Sequence, residues 1–191
     1  MKKIILASAS PRRKELLEAI GLKFEVEPSN YAEDTISAAD PHELVRSLSL
    51  AKARAVAGNH RSALIIAADT LVVCEGRLLG KPHTETEARE MLEAINGKQH
   101  SVITGFTIMD ASDNRAVSRS VETRVYMKRL TSEEIGAYVK SGEPLGKAGG
   151  YAIQGLGSVI VEQIEGDYCN VVGLPLSALA ESLQEFGVRV L

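Results

Sequence analysis

The apolar positions of the chain follow two rhythms, one of strand length and one of helical spacing. "KKIILAS" (residues 2–8) is a compact apolar run that reads as a buried strand. Ser10-Pro11 then supplies an N-cap and a first-turn proline for a helix with Leu16, Leu17 and Ile20 on one face, stopped by Gly21. "FEVEPS" (24–29) alternates like a half-buried strand, and the polar stretch from Ser29 to Ala39 reads as a loop. Asp40-Pro41-His42-Glu43 is a capping-box signature, acid at N-cap, proline at N1 and Glu at N3. It opens a helix that runs to about Ala57, ahead of Gly58.

The second half of the pattern is richer in strands. "ALIIAAD" is a strongly apolar strand ending in Asp69, and "TLVVCEGRLLGKP" continues as a hairpin around Glu75-Gly76. Thr84 with Glu87 begins the next helix, which ends near Gly97. "HSVITGFTIMD" and "AVSRSVETRVYM", joined by the turn-rich "ASDN", predict two long antiparallel strands. Thr131-Ser132-Glu133-Glu134 caps a short helix ending at Gly142. The segment "GEPLGKAGGYAIQGLGS" that follows is too long and glycine-rich for a simple turn, a length at which loops are often functional. "VIVEQIEG" predicts another strand and "GLPLSALAESLQEFG" a final amphipathic helix with Pro175 at its start. Helices mixed with parallel-type and hairpin-type strands give one α/β domain over residues 1–191, with a mixed sheet in two lobes around a cleft.

Composition narrows the partners. A chain of 191 residues, 45% hydrophobic and 25% charged, can bury a core of its own. Its apolar runs fall far short of a membrane span, and Pro11-Arg12-Arg13-Lys14 interrupts the N-terminal one too early for a secretory signal. Two cysteines, Cys74 and Cys169, have no metal spacing and no second pair, which favours a reduced, cytoplasmic setting over a disulfide framework. The net charge of −3 provides no general attraction to nucleic acid or membrane, so any anion site is local.

One local candidate is the strand-to-helix turn "SASPRR". Orphan N–H groups of a helix start bind phosphate, Ser8 and Ser10 add donors, and Arg12 and Arg13 offer planar forks suited to phosphate oxygens. Cations there oppose the helix dipole, so a bound anion explains them; a capped surface helix with solvated arginines is the plainer alternative. Asp69, at the end of its apolar run, stands where α/β sheets present ligands, able to hold a divalent cation or orient water, or else simply ends the strand. Lys81 and Lys147 each follow a glycine, on backbone able to approach a ligand or on open surface. Lys52 and Arg54, two apart, fall on different helix faces, so at most one joins a common site.

Other schemes fail. There is no G-x-x-x-x-G-K-[ST] and no G-x-S-x-G, and Arg46 stands where a zincin-like helix beginning at His42-Glu43 needs its second His. Neither cysteine has an arginine at phosphocysteine spacing, and the four histidines are scattered. Water attack on a phosphate ester or anhydride, with acids carrying a metal and basic residues neutralising oxygens, is what is left.

"LASASPRRKELL", "AKARA", "AADTLVV", "LGKP", "GKAGGYAIQG" and "VVGLPLSAL", in that order and over essentially the whole chain, resemble the Maf family of nucleotide pyrophosphatases. The resemblance implies the elongated mixed α/β fold of Maf and inosine triphosphatase-like enzymes, with two lobes flanking a nucleotide cleft. It also implies hydrolysis of a nucleoside triphosphate between the α and β phosphates, with a divalent cation, Mg²⁺ or Mn²⁺, as cofactor. By the same resemblance Asp69 is the general base and a metal ligand, and Glu33 is a second ligand. Ser8, Arg12, Arg13, Lys52 and Lys81 form a triphosphate clamp, with Lys147 a further basic candidate. Arg12, Thr70 and Gln154 match positions associated with base selection in the subfamily that prefers dTTP and UTP, and a side-chain amide such as Gln154's can both donate to and accept from a pyrimidine edge.

Gly146 stands where the family often has Asp, and Gly150 and Ala152 depart from its pattern nearby, so Lys147 is expected to lack that acidic partner. Members of the family are also linked to restraint of cell division, which makes a nucleotide-binding regulator without essential catalysis, a septum formation inhibitor, the competing reading. Exposed strand and helix faces leave room for a homodimer.

Overall fold

The computed structural model describes residues 2–31 and 38–191. Seven strands, β1 (Lys3–Leu6), β2 (Glu25–Val26), β3 (Ala63–Cys74), β4 (Arg77–Leu79), β5 (Gln99–Asp110), β6 (Ala116–Met127) and β7 (Val161–Glu165), form one mixed sheet. Its order is β2-β1-β3-β5-β6-β7, with β4 paired to β3. β1 runs parallel to both β2 and β3, while β4 and β7 pair antiparallel with β3 and β6. Among the described residues six α-helices accompany it: α1 (Pro11–Ala19), α2 (Pro41–Ala57), α3 (Glu85–Ile95), α4 (Ser132–Lys140), α5 (Tyr168–Val172) and α6 (Leu176–Gln184).

The chain divides into two compact units, in keeping with the expected two lobes. One comprises Met1–Asp69, Thr104–Val121 and Gly173–Leu191, the other Thr70–Ile103 and Glu122–Val172. In the first, the alternation of β3 sorts its side chains to two faces. Leu64, Ile66 and Ala68 pack with Leu17 of α1 and Leu179 and Leu183 of α6, while Ile65 and Ala67 pack with Ala53 and Val56 of α2. α2 lies close on the sheet because Gly105 of β5 has no side chain: a Cβ there would stand 2.4 Å from the backbone carbonyl of Val45. In the second unit, Leu92 and Ile95 of α3, Ile135 and Val139 of α4 and Val72, Val102 and Val125 of the strands form a separate core.

Most expected elements are present, with informative differences. β3 does not end at Asp69. It continues unbroken to Cys74, so Asp69 sits within a strand rather than beyond its carboxyl end. The hairpin turns at Glu75 and Gly76, both at positive φ, as a two-residue type I′ turn requires. β2 is only two residues long and exposed, shorter than "FEVEPS" predicts. The glycine-rich segment folds into two 3₁₀ turns, Ala148–Gly150 and Gly155–Val159, the second taking up the expected start of β7. α5 is a helical turn that the hydrophobic pattern does not announce.

Candidate functional site

In the first unit the decisive group is Asp69. Parallel pairing of β1 with β3 ends at Leu6 and Ile66, and Asp69 lies three residues further along β3, on the face that Ile65 and Ala67 turn toward α2. From α2 comes Lys52, whose Nζ donates to Asp69 Oδ1. Lys52 occupies the apolar stripe of its helix, four residues after Leu48 and four before Val56, and only 10% of its side chain is exposed against 6% for Asp69. A charge at such a position needs a partner, and each of the two is the other's. Arg54, two residues on, is exposed, as the spacing predicts.

Beside this pair, α1 brings its first turn up to β3. Arg13 donates from Nε to the carbonyl of Gly173 (2.9 Å), and from Nη1 to the carbonyl of Ala68 (2.8 Å) and to Ser8 Oγ (3.2 Å). At least three of its five N–H groups therefore bind the protein, making Arg13 a bracket between the loop after β1, β3 and the turn before α6. Ser8 is buried, and its Oγ also accepts from Ser10 N at 3.2 Å. Ser10 occupies the N-cap of α1 but, among the described residues, gives it no side-chain capping bond. α2, α3 and α4, by contrast, are capped by Asp40, Thr84 and Thr131. Arg12, next to Arg13, is half-buried in the uncapped turn. The unit thus brings Ser8, Arg13, Lys52 and Asp69 together, and Glu33 lies outside the described residues.

In the second unit, Thr70 follows Asp69 on β3 and is half-buried. Lys81 and Lys147 stand on segments bonded to each other, Gly149 N donating to Gly80 O (2.9 Å) and Gly146 N to Pro82 O (2.9 Å). Lys147 does not lack a partner in the way the Gly146 departure implies. Its Nζ donates to the carbonyl of Glu143, whose carboxylate also feels the ammonium's charge. Gln154 is half-buried at the N-cap of the second 3₁₀ turn.

Glu143 is the residue that sequence reasoning missed, because two of its three donors are main-chain N–H groups 13 and 14 residues away. The carboxylate accepts from Tyr138 Oη (2.8 Å), Gly157 N (2.8 Å) and Leu156 N (3.0 Å). Burial pushes its carboxyl up, but those hydrogen bonds and Lys147 together bring it below the ordinary value. Lys52, also embedded, did carry a signal: a lysine in an apolar stripe.

The profile of the Maf family, described as "Maf-like protein", matches residues 3–186. The chain belongs to the Maf family. Among curated relatives, a protein of Methanococcoides burtonii named "dTTP/UTP pyrophosphatase" is 53% identical to this Maf protein over 191 residues, all of this chain and 98% of the relative. Proteins of the same name from Bacillus cereus (51%, 93% of the relative) and Moorella thermoacetica (50%, 98%) also align with this Maf protein's whole length. No helix among the described residues is long and apolar enough to cross a membrane.

Among the described residues no three His, Cys, Asp or Glu side chains gather into a ready-made metal cage. Mg²⁺, however, is commonly held by one or two carboxylates together with substrate phosphates, and a nearly buried Asp69 carboxylate fits that arrangement.

Proposed function

We propose that this Maf protein hydrolyses dTTP and UTP between the α and β phosphates, releasing the nucleoside monophosphate and pyrophosphate. The observation that carries the reading is the embedded Lys52–Asp69 pair beside Ser8 and Arg13, in a chain half identical to proteins named for that reaction. Asp69 takes the proton of the attacking water, and Lys52 holds the carboxylate in place while contributing positive charge beside the phosphates. Ser8, Arg12, the first-turn N–H groups of α1 and Lys81 bind phosphate oxygens, with Arg13 fixing Ser8 and the turn. Asp69, with Glu33 by the family resemblance, would hold a divalent cation together with the substrate phosphates, and that cation would supply charge neutralisation. Arg12, Thr70 and Gln154 select the base, the amide of Gln154 matching the donor and acceptor of a thymine or uracil edge.

Asp69→Asn separates this reading from a purely nucleotide-binding regulator. Turnover of dTTP and UTP is expected to fall by 10² or more, the scale of a lost general base, while nucleotide binding measured by calorimetry persists. Unchanged turnover in this variant contradicts the assignment of Asp69.

A further inference from the structure

The second 3₁₀ turn is built on a side chain. Gly155, at φ +65°, packs so closely that a Cβ there would stand 2.4 Å from Glu143 Oε2, and the next two residues, Leu156 and Gly157, donate their N–H groups to the same carboxylate. Tyr138 Oη completes the set: it donates to Glu143 Oε1 and accepts from Ala152 N at 3.0 Å. The upstream end is fixed separately by Tyr151, whose hydroxyl meets buried His100 Nε2 at 2.7 Å. Gln154 therefore lies between two anchored points, one residue before the turn that Glu143 holds.

We infer that Glu143 is the positioning residue for base recognition: its carboxylate, seated by Tyr138, sets the 155–157 turn and thereby the orientation of Gln154. The inference rests on the reading that Gln154 meets the base. An ionised carboxylate is acceptor-only, and both of its oxygens are used here. Glu143→Gln keeps the shape but sets an N–H group against a main-chain or phenolic donor whichever way the amide is turned.

The test compares kcat and KM for UTP and CTP in wild type, Gln154→Ala, Glu143→Gln, Tyr138→Phe and the Glu143→Gln/Gln154→Ala double variant. Glu143→Gln is expected to reduce the UTP-over-CTP preference about tenfold or more, acting on KM for UTP more than on kcat. Tyr138→Phe shifts the ratio the same way by less, and the double variant loses no more than Gln154→Ala alone. An unchanged ratio in Glu143→Gln, with both nucleotides slowed equally or only the melting temperature lowered, overturns the proposal. Should that variant not fold, an unchanged ratio in Tyr138→Phe overturns it. An unchanged ratio in Gln154→Ala overturns it too, and is distinguished by showing that the base-reading assignment itself has failed.

Discussion

Lys52 and Asp69 pair where two apolar side chains would otherwise belong, between the sheet and α2. Such a pair adds little net stability, yet losing one partner strands a charge. Lys52→Met is therefore expected to destabilise the protein by about 3–5 kcal/mol, read as a lower urea midpoint at unchanged slope. Lys52→Met/Asp69→Leu should recover most of that loss while remaining inactive. Equal stability of Lys52→Met and wild type would show that the pair is solvated. Arg13 illustrates the limit of reading single residues from sequence. Its chemistry points to phosphate, but the carbonyls that hold it lie 55 and 160 residues away and leave no local trace. Glu143 is hidden for the same reason, whereas Lys52 betrays itself by its place in an apolar stripe.

At the scale of elements, α2 delivers the lysine and Gly105 determines how closely α2 approaches. Gly105→Ala sets a methyl group 2.4 Å from main-chain atoms of α2 that have no rotamer to yield, so the helix must lift. We expect a loss of about 1–3 kcal/mol together with reduced turnover, because Lys52 moves with the helix. A variant with wild-type melting temperature and rate would place the helix further from the sheet. Elements were legible where one period persisted: the stripe of α2, the runs of β3 and β5, and the hairpin at Glu75-Gly76. The end of β3 is not legible, since the apolar run breaks at Asp69 while the strand continues to Cys74. Strand pairing carries the backbone past Asp69 and Thr70, whose polarity is accommodated by Lys52 and by partial exposure.

Over the whole molecule, mixed strand directions follow from the order of helices and strands, because parallel and hairpin connections have different lengths. Membership of the Maf family rests on motifs spread from "SASPRR" to "VVGLPLSAL", and the family match runs almost from end to end. The glycine-rich segment was legible as functional only by its length; its internal order comes from Glu143, which no periodicity reports. The central claim is the bond that is cut. Purified protein incubated with Mg²⁺ and dTTP, UTP, CTP or GTP, followed by chromatographic separation of products, tests it directly. The account predicts dTMP or UMP with pyrophosphate, and slower conversion of CTP and GTP; a nucleoside diphosphate with orthophosphate would contradict it.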